Sequence, residues 1–116
     1  MNANHTIQEH FENRAPEVKA TYAAILKAAK KLGPVKEEAK KTSIHLVRKS
    51  AFAGVATRKT ALILTLKSDS DIASKRIAKR EQASAHRWHL ETRLAAPEQV
   101  DGEILAWLKK AYELAG

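Results

Sequence analysis

The chain has no cysteine, which removes disulfides, thiolate-held metals and a cysteine nucleophile, and fits a reducing compartment. Aromatic residues are scarce, two each of Trp, Tyr and Phe. The segment Lys49 to Val55 lacks the aromatic-rich ribonucleoprotein pattern, so stacking platforms for successive bases are missing. Four Gly and three Pro are too few for a disordered or low-complexity chain. No Gly-rich phosphate loop, Walker-type Lys-Ser/Thr or Gly-x-Ser-x-Gly elbow occurs. No Asp precedes Asp69. That matters for Glu38-Ala39-Lys40, which matches the Glu-x-Lys element of metal-dependent nucleases, because on or before the first helix only Glu9, Glu12 and Glu17 remain to supply a second metal-holding carboxylate. No run approaches the eighteen or so consecutive apolar residues of a membrane span, and Met1 to His5 carries no signal-peptide pattern. The expectation is a cytoplasmic protein with no membrane association, no metal and no cofactor.

What is present is a basic globular composition. The chain has 116 residues and a net charge of +8, with 44% hydrophobic and 29% charged residues. This length supports one core and not two. The charge is concentrated: 14 of the 21 Lys and Arg fall between residues 36 and 94, against six of the 13 acidic residues. A concentrated basic segment attracts polyanions.

Apolar residues at Val18, Tyr22, Ile25, Leu26, Ala29 and Leu32 recur at helical spacing. Pro16 suits the first helical turn and Gly33-Pro34 is a stop. Pro97-Glu98 is expected to open a second helix, striped by Val100, Ile104, Trp107, Leu108 and Ala111 and widened by Leu105 and Tyr112. Between them the alternation predicts strands at 42–49, 52–57, 60–67 and 85–94, with a weaker one at 35–40 and a bulge or close approach at Gly54. Residues 68–71 read as a turn, and residues 72–83 as a short basic helix or a loop. The predicted architecture is a two-layer α+β domain over 16–116, after an N-terminal extension or short helix at 1–15. An antiparallel sheet of four to five strands carries the N-terminal and C-terminal helices on one face.

Strand alternation divides the sheet. Ile44, Leu46, Leu62, Leu64, Leu66, Trp88, Leu90 and Leu94 are expected to face the helices. Ser43, His45, Val47, Ile63, Thr65, Arg87, His89, Glu91 and Arg93 are expected on the opposite face. With Lys41, Arg58 and Lys59 in turns beside it, this second face is a candidate anion site made of Lys41, His45, Arg58, Lys59, Arg87, His89 and Arg93. Its expected partner is an anionic small molecule or a nucleic-acid backbone, bound weakly and in a salt-sensitive way. His86 and His89 stand three apart on a predicted strand and so project to opposite faces, which makes them poor joint metal ligands. Ser43 and His45 share a face but have no acidic orienter, and no catalytic residue is assigned. The alternative is a homodimer or other interaction module that uses the open face, with Val47, Ile63 and Thr65 at its centre.

The run Lys40-Lys41-Thr42-Ser43-Ile44-His45-Leu46-Val47, then Phe52-Ala53-Gly54-Val55, Arg58-Lys59, Arg87-Trp88-His89 and Ala106-Trp107-Leu108-Lys109-Lys110-Ala111-Tyr112, resembles the bacterial family known as domain of unknown function 5655. The resemblance covers Pro16 to Leu114. It implies a complete small two-layer α+β module and brings no activity with it. The chain departs from the family's pattern at Ser70-Asp71-Ile72, where a Pro is more usual, and at Ala96, where a capping Ser or Thr is more usual. The second departure removes a side-chain cap, at a cost of about 1 kcal/mol.

Overall fold

A computed structural model describes residues 5–116, folded around one core with a radius of gyration of 13.5 Å. The elements run in the order α1 (Pro16–Lys30), β1 (Lys36–Ala39), β2 (Ile44–Val47), β3 (Ala51–Thr57), β4 (Leu62–Ser68), β5 (Ile77–Ser84), β6 (Arg87–Leu94) and α2 (Gly102–Leu114), with 3-10 turns at Gln8–Phe11 and Pro97–Gln99. All six strands pair antiparallel in the spatial order β1-β2-β3-β4-β6-β5. The α+β class and the antiparallel sheet hold, but the sheet has six strands where four to five were expected.

The extra strand is β5, in the segment read as helix or loop. Only Ile77 of its eight residues is buried. An edge strand with a single inward apolar residue has no alternation to reveal it, and its charged side chains suit an edge exposed to water. β5 and β6 form a hairpin about Ala85-His86, so His86 lies in the turn and not on the last strand.

The buried positions follow the expected alternation. Ile44, Leu46, Leu62, Leu64, Leu66 and Leu94 form one cluster with Val18, Tyr22, Ile25 and Ala29 of α1 and Ile104, Leu108, Ala111 and Tyr112 of α2. Leu105 does not join them; it is 41% exposed. At the start of β3 the alternation breaks. A bulge opposite Leu46 and Val47 puts both Phe52 and Ala53 inside, and Phe52 meets Tyr112 edge-on at 5.2 Å between ring centres. The bulge therefore falls at Ala51–Ala53 and not at Gly54, which pairs regularly with His45 and Thr65.

Both helix boundaries have local causes. α1 has Pro16 in its first turn and ends before Gly33, whose φ of 151° disfavours a side chain. A Cβ there would also collide with the Tyr112 hydroxyl, which donates to the Pro34 carbonyl at 3.1 Å. α2 does not start at Pro97. Pro97–Gln99 is a separate 3-10 turn, and the helix begins after Asp101, whose carboxylate accepts from the Ile104 N–H at 3.3 Å. The cap missing at Ala96 is thus supplied five residues later.

The N-terminal 3-10 turn and the residues after it touch the core and the sheet. Phe11 is in the core, 5.3 Å from the Tyr22 ring, and His10 Nε2 lies 2.8 Å from the Lys40 carbonyl. Thr57 donates its hydroxyl to the His10 carbonyl and accepts from Arg14 Nε.

Candidate functional site

The sheet face opposite the core cluster is built from four central strands whose pairing sets its rows. His45, Gly54, Thr65 and Glu91 lie side by side across β2, β3, β4 and β6. Ala56, Ile63 and Arg93 form the next row toward one end, and Lys67 and His89 pair in the row toward the other. Gly54 and Ala56 contribute one carbon or none to this surface, while His45, Thr65, Lys67 and His89 stand around them. Small side chains in the middle and long ones at the margins make a concavity, and a cleft of about 310 Å³ opens here. Its floor is Ala51, Ala53, Gly54 and Ala56 beside Phe52; its walls are Ser43 and His45 on one side and Thr65, Lys67 and His89 on the other.

Two walls are defined closely. An atom placed where a Gly54 Cβ would stand meets His45 Cδ2 at 3.8 Å and Thr65 Cβ at 3.9 Å, ordinary carbon contact distances on both sides. One row away, Lys67 Nζ donates to Ser50 Oγ at 3.2 Å, and the Glu81 carboxylate stands 3.7 Å from His89 Nδ1.

Of the seven site residues expected from sequence, the structure brings His45 and His89 to the cleft and distributes the rest around the sheet. Arg87 and Arg93 lie at opposite ends of β6. Six residues at about 3.3 Å each separate them by roughly 20 Å, so they cannot share one small anion. Lys41 lies in the β1–β2 turn, Arg58 and Lys59 in the β3–β4 turn, and Arg93 beside Ile63; these four occupy one end of the sheet. None of Lys41, Arg58, Lys59, Arg87 or Arg93 forms an ion pair with a described residue. Besides Glu91, which alternation places on this face beside Thr65, Glu38 pairs with His45 in the register and Glu81 approaches His89, so the face is less uniformly cationic than the candidate site implied.

Sequence reasoning missed Lys67 and Gly54 as cleft residues. Lys67 shares the parity of Ile63 and Thr65 in β4, so the signal was present in the alternation. The expected strand at 60–67 ends on Lys67, which leaves that residue off the assigned face. Of the two expectations at Gly54, a bulge or a close approach, the bulge lies elsewhere, and the missing side chain leaves the cleft floor low. Among the described residues, no three of His, Asp and Glu converge to hold a metal ion, and no helix is long and apolar enough to cross a membrane.

The family model for a domain of unknown function (DUF5655) matches residues 7–115. The chain belongs to that family, and the match takes in the N-terminal 3-10 turn as well as the segment from Pro16 onward. Comparison with curated proteins and with solved structures finds no match to either.

Proposed function

We propose that this DUF5655 domain is a non-enzymatic binding module that takes an anionic ligand on the open face of its sheet, with the cleft over Gly54 as the seat. The observation that carries this reading is the placement of His45, Lys67 and His89 around a floor of small residues. A cleft of this size lies at the lower end of small-molecule sites, which run from roughly 300 to 1,000 Å³. Lys67 supplies a fixed positive charge, and the imidazoles and the hydroxyls of Ser43 and Thr65 supply hydrogen-bonding groups. Of the two anion classes, the small ligand is favoured over a nucleic-acid backbone. The unpaired cations Lys41, Arg58, Lys59 and Arg93 gather at one end of the sheet while Arg87 stands at the other, and Glu38 and Glu91 interrupt the path between.

A thermal-shift screen of phosphorylated and carboxylated metabolites tests the reading, since a ligand at a hundred times its dissociation constant adds about 2.7 kcal/mol. The expected result is stabilisation by anions that Lys67→Met abolishes. Stabilisation unchanged by that substitution would remove the cleft as the seat. Labelled oligonucleotides address the backbone version in parallel: binding there would fall steeply with salt and weaken on replacing Arg58 and Lys59. Light scattering addresses self-association, in which Val47 and Ile63 would be covered by a second copy.

A further inference from the structure

We infer that the cleft is built for a nucleotide unit, a flat heteroaromatic ring joined through a small polar spacer to a phosphate, and not for a bare anion. The inference rests on the anion-binding reading above and adds to it the shape and polarity of the cleft.

A phosphate or sulfate ion would leave most of a 310 Å³ cleft to water, and most of the floor it would lie on is apolar. The floor asks for a flat apolar body. Ala51, Gly54 and Ala56 bring no side chain longer than a methyl, and Ala53 turns its own toward the core, so a ring can approach the strand backbone closely. At floor level the two walls beside Gly54 are close: the position its Cβ would take is 3.8 Å from His45 Cδ2 and 3.9 Å from Thr65 Cβ, so a ring stacked above the glycine lies in the slot between the His45 imidazole and the Thr65 side chain, with the imidazole offering a π-face or edge. The chain has few Trp, Tyr and Phe, and this wall uses a histidine ring in their place.

Charge lies at one end of that slot. Among the described residues lining the cleft, Lys67 alone carries a permanent charge, and it pairs with His89 in the row next to the Gly54–Thr65 row. The Ser50 hydroxyl lies 3.2 Å from Lys67 Nζ and completes a small donor group. Two residues along a strand separate the donor group from the slot, about 6.6 Å, a span that the ribose of a nucleotide bridges between its base and its 5′-phosphate. Ser43 and Thr65 are placed to meet the spacer's or the ring's polar edge.

The experiment is isothermal titration of the full chain with adenosine and uridine 5′-monophosphates, the two nucleosides, and inorganic phosphate, repeated with Gly54→Ala and Lys67→Met. Gly54→Ala puts a methyl into the slot at contact distances the fold accommodates, and a thermal melt verifies that the variant is folded. At least one monophosphate should bind about tenfold or more tightly than either phosphate or its own nucleoside. Gly54→Ala should erase that advantage over phosphate, and Lys67→Met should erase the advantage over the nucleoside. If phosphate and the monophosphates bind equally, the nucleotide inference is overturned while the anion-binding reading stands. If nothing binds, the nucleotide inference falls, and with it the phosphate form of the anion-binding reading. Nucleosides binding as tightly as their monophosphates would also overturn both, because the phosphate would then contribute nothing.

Discussion

Gly33 and Gly54 show how one residue type serves opposite ends in this chain. Gly33 has a positive φ and abuts the Tyr112 hydroxyl, so a side chain there is strained twice. Gly33→Ala should destabilise the domain by about 1–3 kcal/mol in urea unfolding, and Gly54→Ala by clearly less. Equal effects would mean that the contact between the α1 terminus and α2 is not tight. Tyr22 makes a second prediction at this scale. Burial, reinforced by the carboxylate of Glu37 that accepts its hydroxyl at 2.6 Å, pushes the phenol well above its ordinary value near 10. A raised folded pKa means that the native state keeps a proton the unfolded chain gives up. This contribution to stability is therefore complete below pH 10 or so and is lost as pH rises beyond it. Phenolate absorbance should show Tyr22 ionising only as the fold opens. Tyr22→Phe should remove that alkaline dependence at a cost of about 1 kcal/mol at neutral pH.

At the scale of elements, the helices and central strands were legible because each buries one face with its own period. Val18, Tyr22, Ile25 and Ala29 could be read as a stripe, and Leu62, Leu64 and Leu66 as an alternation, before any tertiary contact was known. β5 was illegible because its pairing with β6 uses backbone groups that any sequence carries. The start of α2 was misplaced for a different reason: Pro97-Glu98 is an acceptable helix opening, and what relocates the helix is Asp101 held by a distant arginine. Arg76 Nη1 lies 2.8 Å from the Asp101 carboxylate and 3.2 Å from that of Glu103, and Nη2 donates to the Gln99 carbonyl. That ion pair, with the Ile104 N–H, holds the Asp101 carboxyl below its ordinary range. A depressed folded pKa stabilises the fold above the unfolded value near 3.9 and loses that contribution as pH falls through it toward the folded value. Asp101→Ala should thus lower thermal stability at pH 7 and reduce the loss seen on acidification between about pH 5 and pH 3. Glu103→Gln should change either quantity less, because it leaves the cap in place. Circular dichroism melts across that range would measure both.

For the whole molecule, the issue is where the domain begins. The cleft was half legible: alternation put His45 and His89 on one face, but no property of a linear sequence tells which pairs of strands will be neighbours, and the insertion of β6 between β4 and β5 is what sets His89 opposite Lys67. A short helix at 1–15 is among the sequence expectations and a 3-10 turn stands at Gln8–Phe11, but its contacts were illegible for the same reason, since its partners are Lys40, Thr57 and Lys59, each more than 25 residues away, with Ala15 N–H donating to the Lys59 carbonyl at 2.8 Å. These bonds close the end of the sheet nearest Arg58 and Lys59, and Phe11 plugs the core beneath them beside Tyr22. With a single core shared by both ends of the chain, unfolding should be two-state, and the N-terminal turn should not melt ahead of the sheet. Phe11→Ala should cost about 3 kcal/mol, as burial of a core phenylalanine dictates. The amide of Ala15, bonded to Lys59, should exchange with solvent at a rate close to that of the β3–β4 amides. If Phe11→Ala leaves the melting temperature unchanged, or if Ala15 exchanges orders of magnitude faster than β3, then residues 5–15 are an appendage and the cooperative domain starts at Pro16.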